Sequence, residues 1–335
     1  DDVFGDDPTV IALQERAAEL TGKPAAIFVA SGTMGNLVSH LAHVPRGGEI
    51  IADAGAHLVQ MEAGGYAVIS GATVRTLTAG PDGTWDLDEL RAAFRPDDYH
   101  QPQTALVTIE NTHSPTLGRP LSADYTAAVA AIAHEQGVPL HVDGARLWNS
   151  VVAQDTTAAA LLADADSATF CLSKGLGCPV GSVVVGEPEF IERAHRGRKL
   201  VGGAMRQAGI VAAAGLLALS DGPDGMVERL AEDHANARAL AEGLAAMDGI
   251  VDLDPAAITT NYIVFGLRPR PGQDRLDARE AFMAETGSRG LAYIGYPGGR
   301  IRALTHYGIE RSDIGRALEI TRDALVAAGL GAVAV

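Results

Sequence analysis

Three uninterrupted apolar runs, TALVTIE (104–110), VPLHVD (138–143) and SATFCLS (167–173), limit this fold more than anything else in the chain. Each is short for a helix and lacks polar alternation, so each reads as a strand buried on both faces. Strands of that kind need helices on both sides. The stretch SADYTAAVAAIAHEQ (122–136) supplies one between the first two runs. The same alternation extends upstream through AAIFVA (25–30), a helix at 33–44, EIIAD (49–53) and a helix at 86–94. In that last helix Asp86 stands at the N-cap and Glu89 at the capping-box position. The pattern predicts an α/β architecture with a mostly parallel sheet and right-handed crossovers.

The order changes beyond about residue 204. A long helical region, 204–247, is broken near DGPDG (221–225). Strand-like NYIVFGL (261–267), a helix near 276–288, LAYIG, RIRALTH and a helix from about 311 follow. This predicts a large α/β domain over 1–228 and a small C-terminal α+β domain over 229–335.

Charge and hydropathy remove several classes of function. A net charge of −16 leaves no basic field for nucleic acid or an anionic membrane. The arginines between Arg193 and Arg198 read as a local salt-bridged or interface patch on a helix. The longest apolar segment, 208–220, falls short of the roughly 20 residues that cross a bilayer and reads as a buried helix. The acidic start carries no signal-peptide pattern. Cys171 and Cys178 are too few for a disulfide framework or a Cys-only zinc site, so the expectation is a reducing cytoplasm and no metal.

Lysine is scarce. Lys23, Lys174 and Lys199 stand against 23 arginines. Arg replaces Lys wherever positive charge suffices, but not where an amine must lose its proton and attack a carbonyl. Codon usage alone also explains scarcity. Lys174 has the stronger setting, after the 167–173 strand and before a Gly-rich turn.

Ligands of parallel α/β sheets bind outside the carboxyl ends of the strands. Ser31, Gly32 and Thr33 follow the 25–30 strand and open a helix, which suits an anion, although such residues are also ordinary caps. His57, with Glu62 five residues on, follows 49–53. Asn111 and His113 follow 104–110. Asp143 ends the next strand with Arg146 just beyond, and Lys174 follows the last. Singly, each His reads more readily as structural, Asp143 as a helix N-cap and Arg146 as a surface partner. Together they fit one cofactor, pyridoxal 5′-phosphate (PLP), which needs a Schiff-base Lys, an Asp against its pyridine nitrogen and a phosphate cup.

At this point the segments are recognisable. GDDPTVIALQERAAELTGK (5–23), FVASGTMGN (28–36), IENTH (109–113), HVDGARLWN (141–149), CLSKGLGCPVGSVVVG (171–186), GGAMRQAGIVAAAG (202–215), TNYIVF (260–265) and IRALTH (301–306) occur in this order. The chain resembles the low-specificity L-threonine aldolases of the aromatic amino acid β-eliminating lyase group. The resemblance implies PLP fold type I, like aspartate aminotransferase. It implies retro-aldol cleavage of L-threonine, L-allo-threonine and related β-hydroxy-α-amino acids to glycine plus aldehyde. It assigns the Schiff base to Lys174, the pyridine nitrogen to Asp143 and the phosphate grip to the Ser31–Gly32–Thr33 turn. Arg146 is assigned the cofactor oxygen and substrate carboxylate, Arg302 the α-carboxylate, His57 a place over the ring, and His113 a place near the substrate hydroxyl. Lys199 and Arg206 fall near the phosphate, across a subunit boundary. A homotetramer built from dimers, with active sites at subunit interfaces, is also implied.

The family pattern has a further segment ahead of Gly5, with an Arg-Ser-Asp-Thr-like stretch on the substrate carboxylate. The sequence starts at Asp1, which predicts weakened substrate binding or a trimmed chain. Gly177-Cys178 and His306-Tyr307 depart from the commoner choices. Two other readings stand beside the aldolase. One is another fold type I PLP lyase, performing β-elimination or preferring phenylserine. The other is a non-catalytic relative, against which the intact Lys, Asp, Arg and His set argues. The choice between threonine epimers, the range of aldehyde size and the identity of the base stay open at this level.

Overall fold

The apolar runs do become strands, and the strands lie side by side. The computed structural model of the chain describes residues 1–330. It divides into two compact units, Asp1–Leu230 and the residues from Ala231 onward.

The first unit begins with α1 (Pro8–Thr21). Asp7 caps it by accepting from the Thr9 and Val10 N–H groups at 3.1 and 3.2 Å, Pro8 sits in its first turn, and Gly22 closes it at φ 66°. Then come β1 (Ala25–Val29), α2 (Gly32–His43), β2 (Glu49–Asp53), the single turns α3 (His57–Gln60) and α4 (Gly65–Val68), and β3 (Thr73–Leu77). They are followed by α5 (Leu87–Ala93), β4 (Thr104–Glu110), α6 (Ala123–Glu135), β5 (Leu140–Gly144), α7 (Leu147–Ala153), α8 (Ala158–Leu161) and β6 (Ser167–Cys171). β7 (Ser182–Gly186), α9 (Pro188–Leu200) and α10 (Gly209–Ala218) complete the unit. The strands form one seven-stranded sheet in the order β1-β7-β6-β5-β4-β2-β3.

β3, β2, β4, β5 and β6 run parallel, while β7 is antiparallel to both β6 and β1. β1 therefore points the same way as the parallel set. The interior strands β2, β5, β6 and β7 are buried along their whole length, as their unbroken apolar character requires. The sequence reading places a strand at 167–173 and a Gly-rich turn after Lys174; the fold adds 182–186 as a further strand, β7. The spacing between Asp143 and Lys174 predicts one crossover helix over about 156–163. The connection is instead made by α7 and the single turn α8, with Asp155 at φ 49° between them.

Side-chain chemistry ties helices to the sheet. On α9, Arg193 Nε donates to Ala42 O at 2.8 Å, and Arg196 pairs with Glu192 on the surface. Arg198 is different: it is 1% exposed, donates to Phe28 O at 2.7 Å and pairs with Asp2 at 2.9 Å. The arginine cluster is thus partly an internal tie between the first residues, the end of β1 and α9.

A second tie uses histidine. His43 Nε2 and His141 Nδ1 both meet Ser167 Oγ, at 2.7 and 2.8 Å, and His43 stacks on Phe190. His40 is buried with no hydrogen-bond partner for either ring nitrogen among the described residues. Burial holds His40 and His43 down to about 4 and His141 well below its ordinary value. The folded chain thus prefers these rings neutral, while the unfolded chain protonates them near pH 6.5. Their stabilisation is full above pH 6.5 and is lost as pH falls towards 4, on the order of 3 kcal/mol for each of His40 and His43. Thermal melts between pH 7.5 and 4.5 should show the melting temperature falling steeply in this window. His40→Leu should flatten the slope.

The second unit holds most of α11 (Leu230–Ala245), then β8 (Ile250–Val251), β9 (Tyr262–Leu267), α12 (Arg275–Ser288), β10 (Ile294–Tyr296), β11 (Arg300–Leu304) and α13 (Arg311–Ala327). Its strands form an antiparallel sheet in the order β10-β11-β9-β8. Its core gathers Ile263, Phe265, Phe282, Ile301 and Ile314.

Candidate active site

Sheet direction brings most of the predicted residues to one edge. The carboxyl ends of β1, β2, β4, β5 and β6 deliver Ser31, His57, His113, Asp143 and Lys174 to the same side of the first unit. β7, running the other way, starts on that side at Ser182, which pairs with Val29 and Cys171.

The turn into α2 is built for an anion. Ser31 is the N-cap, and its Oγ accepts from Met34 N–H at 3.2 Å. The Gly32 and Thr33 N–H groups have no intrahelical acceptor at that position, and the helix dipole adds partial positive charge. A Cβ at residue 32 would lie 2.8 Å from Cys171 Sγ, so any larger residue there would have to displace that side chain.

Asp143 is 6% exposed. One carboxylate oxygen accepts from Ala145 N–H at 3.1 Å and the other from Asn36 Nδ2 at 2.8 Å. The N-cap of α7 is Arg146, so Asp143 is not a helix cap. No Lys, Arg or His among the described residues forms an ion pair with it. A buried carboxylate in that condition calls for a cationic partner.

The same Asn36 nitrogen donates to Glu62 Oε1 at 2.8 Å, and that oxygen also receives His57 Nδ1 at 2.8 Å. The Glu62 side chain is 1% exposed and that of His57 is 42% exposed. The Glu62 hydrogen bond raises the His57 pKa, and the Asp143 charge adds to this, while burial and the Lys174 ammonium oppose it. His57 thus lies within electrostatic reach of both Asp143 and Lys174. Beneath it, Glu110 accepts from the His57 backbone N–H at 2.6 Å and from Ser114 N–H at 3.1 Å. Burial, then the nearby Asp143 charge, pushes the Glu110 carboxyl up to about 7.

His113 lines a small cavity together with Glu110, Asp143 and Asp53. It is 3% exposed, with Nδ1 at 2.8 Å from Thr116 Oγ1 and Nε2 at 3.8 Å from Asp53. Asp53 is itself held by Gly55 N–H, Ala79 N–H and Trp85 Nε1. Burial lowers the His113 pKa against the pull of Asp53 and Asp82. No hydrogen bond joins it to His57, Asp143 or Lys174.

Lys174 sits in a short link between two paired strands. Leu172 and Ser173 N–H groups both donate to Gly181 O, and Gly177 N–H donates to Lys174 O at 3.0 Å. Gly181 takes φ 107°, and a Cβ there would lie 2.4 Å from the Phe28 ring. Lys23, by contrast, donates to Ala165 O at the far side of α1, and Lys199 is exposed on α9. Arg206 pairs with Asp1 at 2.6 Å and covers the Phe4 ring.

Arg302 belongs to the second unit. On β11 it donates to Tyr262 OH at 3.2 Å and lies over the Tyr262 ring, 5.5 Å from its centroid. Sequence reasoning does not single out Asn36, Glu110 or Asp53, and it marks Glu62 only as a neighbour of His57. One available signal is helical spacing: residues 32, 36 and 40 share a face of α2.

These residues offer an amine, an unpaired buried carboxylate, an anion-binding turn and an imidazole along one sheet edge. That donor set fits PLP. The beta-eliminating lyase family model matches residues 1–266. The chain belongs to the beta-eliminating lyase family. Low-specificity L-threonine aldolase 1 of Arabidopsis thaliana is 42% identical over 329 residues, covering 97% of this chain and 89% of that one. The low specificity L-threonine aldolase of Escherichia coli strain K12 is 48% identical over 244 residues, 73% of this chain and 71% of that one. The threonine aldolase of Leishmania major aligns over 96% of this chain and 90% of that one, with a TM-score of 0.79 at 21% identity. A serine palmitoyltransferase of Sphingomonas wittichii aligns over 97% and 78%, with a TM-score of 0.72 at 20% identity. At those identities the two structures establish the fold of this beta-eliminating lyase, which is PLP fold type I.

Proposed function

We propose that this chain is a PLP-dependent aldehyde-lyase cleaving L-threonine, L-allo-threonine and related β-hydroxy-α-amino acids to glycine plus aldehyde. The observation that carries the reading is Asp143, a buried carboxylate with two donors and no ion pair, on the same sheet edge as Lys174 and the α2 N-terminus. Curated relatives named as low-specificity L-threonine aldolases support the choice of substrate.

Lys174 would hold PLP through its amine, Asp143 through the pyridine nitrogen, and Ser31, Gly32 and Thr33 through the phosphate. When bound, PLP supplies an electron sink for the pair released as Cα–Cβ breaks. Arg146 would hold the substrate carboxylate, fixing which bond to Cα stands ready to break; for Arg302 the same role rests on the family pattern of IRALTH alone. His57 accepts the β-hydroxyl proton at its Nε2 while Glu62 steadies Nδ1. Lys174 returns a proton to Cα to give glycine. His113, locked between Thr116 and Asp53, supports the wall of the site beside Glu110.

The test is product analysis of the purified protein with both threonine epimers. Glycine and acetaldehyde are expected. Ammonia and a keto acid would replace this reading with β-elimination.

As a base, His57 works when neutral, and its pKa lies above 6.5 in the folded chain. The rate should therefore climb as pH rises through that raised value. Glu62→Gln removes the main cause of the increase, so the acid limb should move to lower pH, with kcat/KM at pH 8 falling about tenfold. A second expectation concerns Arg302. Arg302→Ala should raise KM about 10- to 100-fold with a smaller change in kcat, and Arg302→Lys should restore only part of it. An unchanged KM would remove Arg302 from the carboxylate site.

Assembly as a homotetramer of dimers belongs to the same proposal. Support comes from Phe4, Met61, Val68, Tyr99, Leu200 and Ile210, all large apolar side chains left exposed in a single chain. A cytoplasmic setting is supported by two free thiols, Cys171 and Cys178. No helix among the described residues is long and apolar enough to cross a membrane.

A further inference from the structure

We infer that Asn36 is a positioning residue that couples Asp143 to the His57–Glu62 pair, so that a change at one carboxylate is felt at the other. The inference rests on the PLP reading above.

Asn36 is 2% exposed, and its amide nitrogen makes two hydrogen bonds of equal length, to Asp143 Oδ2 and Glu62 Oε1, each at 2.8 Å. An amide nitrogen carries two N–H groups and accepts nothing. Both bonds form only when neither of those oxygens carries a proton towards Asn36. One small neutral group therefore donates to two buried carboxylates at once. Aspartate at this position would add a third carboxylate, serine has a single hydroxyl hydrogen, and leucine has none.

The position on the helix matters as much as the chemistry. Asn36 lies four residues after Gly32, one turn further along the same face of α2. The helix whose N-terminus would take the phosphate thus also grips the carboxylate that would take the pyridine nitrogen. α2 acts as a ruler between the two ends of the cofactor site. One turn on again stands His40, buried and without a hydrogen-bond partner for its ring among the described residues, within electrostatic reach of Asp143.

The groups facing the bridge come from four elements. Glu62 and His57 lie in the 57–62 segment, Glu110 ends β4, Asp143 lies on β5 and Lys174 follows β6. Glu110, Asp143 and Lys174 sit on strands or strand ends that cannot shift freely. Asn36 is the group through which the two carboxylates share hydrogen bonds, so its loss separates Asp143 from Glu62.

The test is a double-mutant cycle on the purified holoenzyme. Wild type, Asn36→Leu, Glu62→Gln and the double variant are titrated with pH while the visible band of the Lys174-linked cofactor is followed, and PLP dissociation is measured by dialysis and fluorescence. Asn36→Leu should weaken PLP retention about tenfold, because two buried acceptors lose their donor. Glu62→Gln should shift the midpoint of the band, and most of that shift should vanish in the Asn36→Leu background. Two shifts that simply add in the double variant would overturn the inference, since a purely structural role lowers melting temperature without linking the two titrations. If Asn36→Leu does not fold, the same cycle is run with Asn36→Ser, and an undiminished Glu62→Gln shift in that background overturns it equally. A wild-type protein that takes up no PLP and shows no band would instead refute the PLP reading itself.

Discussion

Lys174→Ala should lose threonine cleavage by on the order of 10³-fold or more, measured as aldehyde release with PLP in excess. The residue has two duties that no neighbour duplicates. On the proposed reading it would supply the amine that anchors the cofactor and carry the proton that completes glycine. Lys23 is tied to Ala165 O and Lys199 is exposed on α9, so neither stands in. Lys174→Arg should be equally inactive, because a guanidinium does not give up its proton near neutral pH. Borohydride should fix PLP covalently to the wild type and not to either variant. PLP should still associate reversibly, since the Ser31–Gly32–Thr33 turn and Asp143 remain. Substantial turnover by Lys174→Ala would mean that a different lysine carries the cofactor.

The second large effect is expected at Asp143. Asp143→Asn keeps the volume and the hydrogen bond from Ala145 N–H but removes the charge. A pyridine nitrogen facing a neutral amide is not held protonated, so the electron sink weakens. A fall in kcat of about 10²–10³-fold is expected, with little change in KM. The substitution should also be visible at a distance. Asp143 is one of the causes that push the Glu110 carboxyl up to about 7, so Glu110 should titrate lower in the variant. A substitution that lowered kcat and raised KM together, with no cofactor spectral change, would place Asp143 outside the site.

Much of this arrangement is legible in the order of residues alone. Unbroken apolar runs identify β4, β5 and β6, and strand ends then locate Ser31, His57, His113, Asp143 and Lys174. Those residues can be found because direction along a strand is a one-dimensional property. The hydrogen-bond network cannot be found that way. Asn36 reaches partners 26 and 107 residues away, Glu62 and Asp143, and nothing local marks an amide as a bridge. The reversal of β7 is hidden for a related reason: an apolar run carries no sign of its direction. Arg198 reads with its neighbours as part of a local salt-bridged or interface patch; it does pair with Asp2, but nothing in the sequence shows that the guanidinium is buried and donates to Phe28 O.

The link that carries Lys174 has a consequence for how this chain can change. It joins two adjacent antiparallel strands and is pinned at both ends, by Leu172 and Ser173 to Gly181, with Phe28 against the last residue. An added residue there would slip one strand against the other and turn its inward side chains outward. Insertions should therefore be rejected in 172–181 and accepted more readily in 67–69, exposed residues beyond Glu62. Variation in chain length, and with it the room left for longer aldehydes, is expected to accumulate on the histidine side of the site, while the lysine side stays constant in length.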